Sequence, residues 1–274
     1  MTENIPFIEL NSGRNLPMLG LGVYKATAEN EAETAISHAL DANYRLIDTA
    51  SVYKNEDAVG RAIKASAIPR QDLFVTTKLW NNAQRVGDIE GAFNRSLDRL
   101  QLDYVDLYLV HWPVPGCSKE TWQGMEAIYR SGRAKSIGVS NYEPLQLDEL
   151  LSFAEVIPAV NQIEFHPLWN QSDTLSYCKQ KGIAVQAYAP LARGAYLENE
   201  ILATIAAKHG KSTAQVGLRW LVQKGVSVIP KSTHKDRIIS NSEIFDFEIS
   251  DLDMKLIDSL NQNYRSASIP EDLQ

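Results

Sequence analysis

Only two cysteines, Cys117 and Cys178, occur in the 274 residues. Two thiols are too few for a disulfide framework, so passive, reduced side chains and a reducing compartment are expected. No apolar run approaches the roughly 20 residues of a membrane helix. The segment Met1–Leu10 has acidic and polar residues where a secretory signal would carry a basic start and an apolar stretch, so cytosolic residence is expected. Basic excess is also missing: the formal net charge is −7, which disfavours a polyanion partner such as nucleic acid. The five histidines show no metal-ligand spacing, and no metal site is expected.

Two nucleotide loops are absent as well. After the first apolar run the chain reads Gly20-Leu-Gly22-Val-Tyr-Lys25, with lysine where the open-sheet dinucleotide fold needs its third glycine. Gly210-Lys211-Ser212 has Ile205 where the phosphate loop of nucleotide hydrolases needs glycine.

What the chain does contain is a repeated alternation. Short, nearly uncharged runs (19–22, 46–48, 73–79, 105–111, 136–140, 159–163, 184–189 and 226–230) read as strands buried on both faces. Between them lie helical patterns, among them 31–42, 89–100, 172–181 and 201–209. Strand followed by helix predicts a parallel sheet covered by helices. Counting runs does not separate a closed barrel from an open sheet, but the missing glycine loop favours the barrel. The expected fold is therefore an α/β, (β/α)8 barrel. It is preceded by an N-terminal β-hairpin, 7–10 and 15–17 around Asn11-Ser-Gly13, that plugs one end. No linker divides residues 1–274, and such barrels commonly use about 250 residues as one domain. No strongly apolar exposed helix face stands out, so a monomer is expected.

The ends of the runs carry polar residues. Asp48 closes the second, Tyr53 follows in its loop, Lys78 closes the third and His111 closes the fourth. In a (β/α) barrel these strand ends converge on the face that bears active sites. Taken singly, each has a structural alternative: a helix cap, a rim aromatic, an ion-pair partner, a core histidine. Together they suit carbonyl reduction, which needs a hydride donor and a proton for the developing alkoxide. A phenol with an ordinary pKa of about 10 needs help to act as that acid, and a nearby ammonium is expected to lower it. Asp48 would hold Lys78, and His111 would hydrogen-bond the carbonyl oxygen. The run Lys231-Ser-Thr-His-Lys-Asp-Arg237 is a basic, hydroxyl-rich cluster at a helix start, which suits a phosphate monoester or a solvated helix end.

At these residues the chain resembles the aldo-keto reductase family. The matching stretches are Leu46-Ile-Asp-Thr-Ala50 with Tyr53 and Asn55-Glu56, Thr77-Lys-Leu-Trp80, and Asp103-Tyr-Val-Asp106 leading to His111-Trp-Pro113. Gly138-Val-Ser-Asn141, Asn161-Gln-Ile-Glu164 and Ile229-Pro-Lys-Ser232, with Arg237 and Asn241, follow in order. The resemblance implies a catalytic tetrad of Asp48, Tyr53, Lys78 and His111, with Tyr53 as general acid. It implies NADPH as cofactor, bordered by Gly22 and Val23, its carboxamide held by Ser140, Asn141 and Gln162, with Tyr188 stacked on the ring. Leu191 would lie along the pyrophosphate, and Lys231, Ser232, Thr233, Arg237 and Asn241 would hold the adenosine end. Ser240 departs from the family, standing where many members carry a glutamate that contacts adenine; His234 sits at a variable position.

Tyr24, Trp80, His111 and Trp112 would line the substrate side, with no arginine evident for a substrate carboxylate. The tail after Asn261 offers little for an elaborate C-terminal loop. That resembles the compact microbial branch, which reduces small carbonyls such as methylglyoxal, aromatic aldehydes and keto-sugar acids. His166, before Pro167, reads as structural. Two rival readings stay open: a slow NADPH-binding redox sensor, and an alcohol dehydrogenase working in the oxidative direction.

Overall fold

The structure is a computed structural model that describes residues 5–274; the start of the Met1–Leu10 segment, residues 1–4, lies outside the described residues. A hairpin comes first, β1 (Phe7–Glu9) pairing antiparallel with β2 (Asn15–Pro17). Its turn closes with bonds from Gly13 N to Leu10 O and from Leu10 N to Arg14 O, both 2.8 Å. Gly13 has φ +75°, a conformation that a residue with a Cβ adopts at a cost.

Eight parallel strands follow: β3 (Leu21–Gly22), β4 (Leu46–Asp48), β5 (Phe74–Leu79), β6 (Leu107–Val110), β7 (Ile137–Ser140), β8 (Val160–Glu164), β9 (Ala184–Tyr188) and β10 (Ser227–Ile229). Each pairs with the next. The ring closes through backbone bonds of 2.9 Å from Gly20 N to Val228 O and from Val228 N to Met18 O. This is the expected (β/α)8 barrel with its hairpin.

Sixth among the strands in chain order, β6 starts two residues later than its apolar run. Asp106 is the reason: its carboxylate, rather than a backbone carbonyl, accepts from Val75 N at 3.0 Å. The expected helices appear as Glu31–Asp41, Ile89–Leu100, Ser172–Gln180 and Glu200–His209. Ile89, Phe93, Leu97 and Leu100 turn one stripe of their helix to the core, as their spacing requires. Among the described residues no helix is long and apolar enough to cross a membrane.

The hairpin seals the N-terminal ends of the strands. Leu10 and Leu16 join a buried cluster with Leu46, Phe74, Leu107 and Leu109. Burying a leucine contributes about 2 kcal/mol, so the plug is held mainly by apolar contact. The opposite end of the barrel is lined by polar side chains.

Candidate active site at the barrel mouth

The strand ends bring the four expected side chains together. Lys78 and Asp48 are buried, with Lys78 Nζ 2.5 Å from Asp48 Oδ1 and 2.9 Å from Thr49 O. Lys78 Nζ lies 5.0 Å from the centroid of the Tyr53 ring. Tyr53 meets His111 edge-on at 5.6 Å between ring centroids, and Trp80 meets His111 at 5.1 Å. Tyr24, exposed at the rim, stacks obliquely on Tyr53 at 4.9 Å.

The loop carrying Tyr53 is tied at both ends. Ser51 Oγ donates to Lys78 O at 3.0 Å. Asn55 Nδ2 donates to Val23 O at 2.9 Å and Ala26 O at 3.2 Å, and its Oδ1 accepts from Thr49 at 2.8 Å. Such ties fix a side chain whose direction matters.

Burial pushes the Asp48 carboxyl up and the Lys78 ammonium down, while their mutual attraction opposes both shifts. His111 is held well below the ordinary imidazole value, by burial first and by the Lys78 charge second, so it is neutral near pH 7. Tyr53 departs from expectation. Burial, then the Asp48 carboxylate, pushes its phenol well above 10. The Lys78 ammonium, shared with Asp48 and Thr49 O, does not overcome these two effects in the resting site.

A second polar group lines the wall beside this cluster. Asn141 has φ +65°, in the left-handed region that asparagine tolerates. That turn aims its Nδ2 at His111 O and Ser140 Oγ, both 3.0 Å, while its Oδ1 accepts from Tyr188 OH at 2.7 Å. Ser140 Oγ donates to Gln162 O at 2.7 Å. Gln162 Nε2 donates to Asp48 Oδ2 and to Gln186 Oε1, each at 2.7 Å, and its own Oε1 accepts nothing among the described residues. Beyond Tyr188, Ala189, Ala192 and Arg193 all have positive φ, placing Leu191 in a tightly wound segment. On the other rim Gly22 N bonds Pro230 O at 3.2 Å, and a Cβ at Gly22 would sit 3.0 Å from Ile229 O. Val23 is buried beside it.

Lys231 and Arg237 are exposed, Ser232 and Asn241 are buried, and Thr233 is intermediate. Ser232 Oγ meets its own loop, accepting from His234 N at 3.1 Å. Ser240 contributes its backbone carbonyl to Gln215 Nε2 at 3.0 Å.

The tail after Asn261, short as it is, packs back onto the barrel. Glu164, at the end of β8, accepts from Ser266 N at 2.7 Å, Ser266 Oγ at 2.5 Å, Ala267 N at 3.1 Å and His166 Nε2 at 2.9 Å. Burial pushes the Glu164 carboxyl up, but these bonds outweigh it and leave it below its ordinary value. Arg265 lies 4.8 Å from the Trp169 ring and 5.7 Å from the Trp112 ring, so an arginine does stand at the mouth. Farther along, Asp272 pairs with Arg85 at 2.5 Å and takes Asn81 Nδ2 at 3.2 Å. Sequence reasoning missed this strap because its partners are about a hundred residues or more away along the chain. His166 is buried against Glu164, in keeping with a structural role.

Residues 18–262 match the sequence profile described as the Aldo/keto reductase family. The chain belongs to this family. It is similar to the glyoxal reductase of Bacillus subtilis (strain 168), 48% identical over 97% of this chain and 96% of that one. Among solved structures it resembles an aldo/keto reductase from Brucella melitensis, with TM-score 0.90 and 45% identity over 94% of this chain and all of that one. An aldo-keto reductase of Bombyx mori, solved in complex with NADP, has TM-score 0.92 and 38% identity over 97% of this chain and 96% of that one. The protein is an oxidoreductase of the carbonyl-reducing kind.

Proposed function

We propose that the protein reduces small aldehydes and ketones with NADPH, Tyr53 giving the proton and His111 orienting the carbonyl. The observation that carries this reading is the convergence of a protonated phenol and a neutral imidazole, their rings 5.6 Å apart, beside a buried Lys78–Asp48 pair.

The residues present fit the cofactor. Gln162 offers an unused amide oxygen toward a carboxamide N–H, and Tyr188, its hydroxyl fixed by Asn141, would stack on the nicotinamide ring. Ser140 and Asn141 complete that wall. Lys231 and Arg237, exposed at the start of a helix, suit a 2′-phosphate. When bound, NADPH supplies the hydride.

The chain's own groups handle the oxygen. A substrate carbonyl oxygen between Tyr53 and His111 accepts a hydrogen bond from each. The imidazole is neutral, so it donates without surrendering a proton. As the oxygen becomes a basic alkoxide, Tyr53 transfers its proton to it. The phenolate left behind is stabilised by the Lys78 charge, which lies over its ring, and regains a proton from water. A raised phenol and a depressed imidazole both keep their reactive forms across the neutral range. The kcat for reduction is therefore expected to stay flat between about pH 6 and 9, where an ordinary histidine would titrate. A rate falling tenfold per unit across that window would make His111 the acid and displace Tyr53.

Trp80 and Trp112 line the substrate side, and Arg265 is already beside the Glu164 carboxylate, its Nε 3.9 Å from Oε2. A cation so paired favours small, largely uncharged carbonyls. We also take the protein to act as a single-domain monomer in the cytosol, readable by light scattering and fractionation. The test is loss of reduced-nicotinamide absorbance, NADPH and NADH in parallel, against methylglyoxal, an aromatic aldehyde and a keto-sugar acid. NADPH-selective turnover is expected, fastest on methylglyoxal. Tight NADPH binding without turnover of any of the three would replace the enzyme with a redox-sensing binding module.

A further inference from the structure

A line of hydrogen bonds leaves the candidate site and crosses the barrel interior to the hairpin. Gln162 on β8 is in register with Gln186 on β9, and Gln186 is in register with Ser227 on β10. All three are buried, as is Asp48. Ser227 Oγ lies 2.8 Å from Pro17 O, Gln186 Nε2 lies 3.2 Å from Ser227 Oγ, and Gln162 Nε2 lies 2.7 Å from both Gln186 Oε1 and Asp48 Oδ2.

Each end of this line admits only one direction. A backbone carbonyl accepts and never donates, so the Ser227 hydroxyl proton goes to Pro17 O. Ser227 Oγ then accepts, which turns the Gln186 nitrogen toward it and the Gln186 oxygen toward Gln162. At the other end the Asp48 carboxylate accepts, its second oxygen already taken by Lys78. Gln162 must therefore present its nitrogen to both neighbours, and both amide hydrogens are committed. A turned Gln162 amide would set oxygen against oxygen twice, at Asp48 Oδ2 and at Gln186 Oε1.

We propose that Gln186 and Ser227, which themselves touch neither substrate nor cofactor, are positioning residues that fix the Gln162 amide so that only its oxygen faces the cofactor carboxamide. This rests on the NADPH reading above and deepens it. The hairpin that plugs one end of the barrel thereby orients a binding group at the other. Removing the Ser227 hydroxyl frees Gln186 to turn its own nitrogen toward Gln162, which must then give up one of its two bonds.

The experiment compares NADPH with its reduced 3-acetylpyridine analogue, which keeps the carbonyl but has no amide N–H to give Gln162. Dissociation constants come from quenching of tryptophan fluorescence, with melting temperatures measured alongside, for the unsubstituted protein, Gln186→Met, Ser227→Ala and Ser227→Thr. The unsubstituted protein is expected to prefer NADPH by about tenfold, the worth of one good hydrogen bond. That preference should shrink to about twofold in Gln186→Met and Ser227→Ala and return in Ser227→Thr, which restores the hydroxyl. If either folded variant weakens both cofactors equally and keeps the preference, the two residues are merely structural and the proposal is overturned. An unsubstituted protein that binds both equally overturns it too. Failure to bind NADPH at all would instead remove the cofactor reading beneath it.

Discussion

Two buried aspartates sit at opposite ends of the barrel, and their surroundings differ instructively. Asp106, before the start of β6, faces Arg70 at 2.7 Å and Arg14 at 3.2 Å, and takes Val75 N as well. Arg14 belongs to the hairpin turn, so this carboxylate staples the plug to the strands. Asp48, at the end of β4, takes Lys78 and Gln162. Around Asp106 the partners hold the fold. Around Asp48 the network stops short: Gln162 Oε1 and His111 Nδ1 have no partner among the described residues. Buried polar groups cost free energy when unpaired. Neither ion pairing nor an unpaired atom marks the functional end by itself, since Arg70 Nε beside Asp106 is also unpaired; Asp48 differs in that Lys78, Tyr53 and His111 converge beside it at the strand ends.

The comparison breaks most visibly at Tyr53. Tyr53→Phe removes the proton and keeps the ring against Tyr24 and His111. It should lower kcat about 10²- to 10⁴-fold, the range for a lost general acid, with NADPH affinity within about twofold. Stopped-flow turnover beside a fluorescence titration checks both. A variant that reduces methylglyoxal at an undiminished rate would show that another group supplies the proton.

The aspartates themselves give the next effect. Asp106→Asn leaves Arg14 and Arg70 facing a neutral amide. Both arginines reach solvent, so the cost should be about 2 kcal/mol rather than the 3–5 of a fully buried pair. That corresponds to a melting temperature lower by roughly 4–8 °C, with kcat unchanged. Asp48→Asn should do the reverse, cutting kcat by at least about tenfold while shifting stability less, because the buried Lys78 can shed its proton. Equal losses of activity in the two variants would erase the distinction between the ends.

Much of this was legible in the sequence because buried parallel strands leave an unbroken apolar signature. The helix Ile89–Leu100 could be placed to the residue from four apolar positions, and Asp48 and Lys78 stood out as charges closing apolar runs. Gln186 left the same kind of signal, a polar residue inside the apolar strand Ala184–Tyr188, but its meaning depends on neighbours from two other strands. The Glu164 latch and Arg265 had no local signature, since their contacts join residues far apart in the chain. The acidity of Tyr53 was read in the wrong direction. Sequence places Lys78 near the phenol, whereas the shift depends on the depth of burial and on which partner takes the ammonium first.

The smallest effect belongs to the exposed edge of the cofactor cradle, where water competes with every contact. Ser232 turns its hydroxyl to its own loop, which leaves the exposed Lys231, Lys235 and Arg237 as the cations of the cluster. A charge-assisted bond to phosphate is worth about 1.5–3 kcal/mol when sheltered, and an exposed one lies at the low end. Lys231→Ala should therefore raise the NADPH dissociation constant about tenfold and leave that for NADH within twofold. The NADPH deficit should narrow as salt rises from about 0.01 to 1 M, because screening weakens the contact in the parent protein first. Equal weakening of both cofactors, or a deficit indifferent to salt, would place the 2′-phosphate elsewhere and return this run to a solvated helix end.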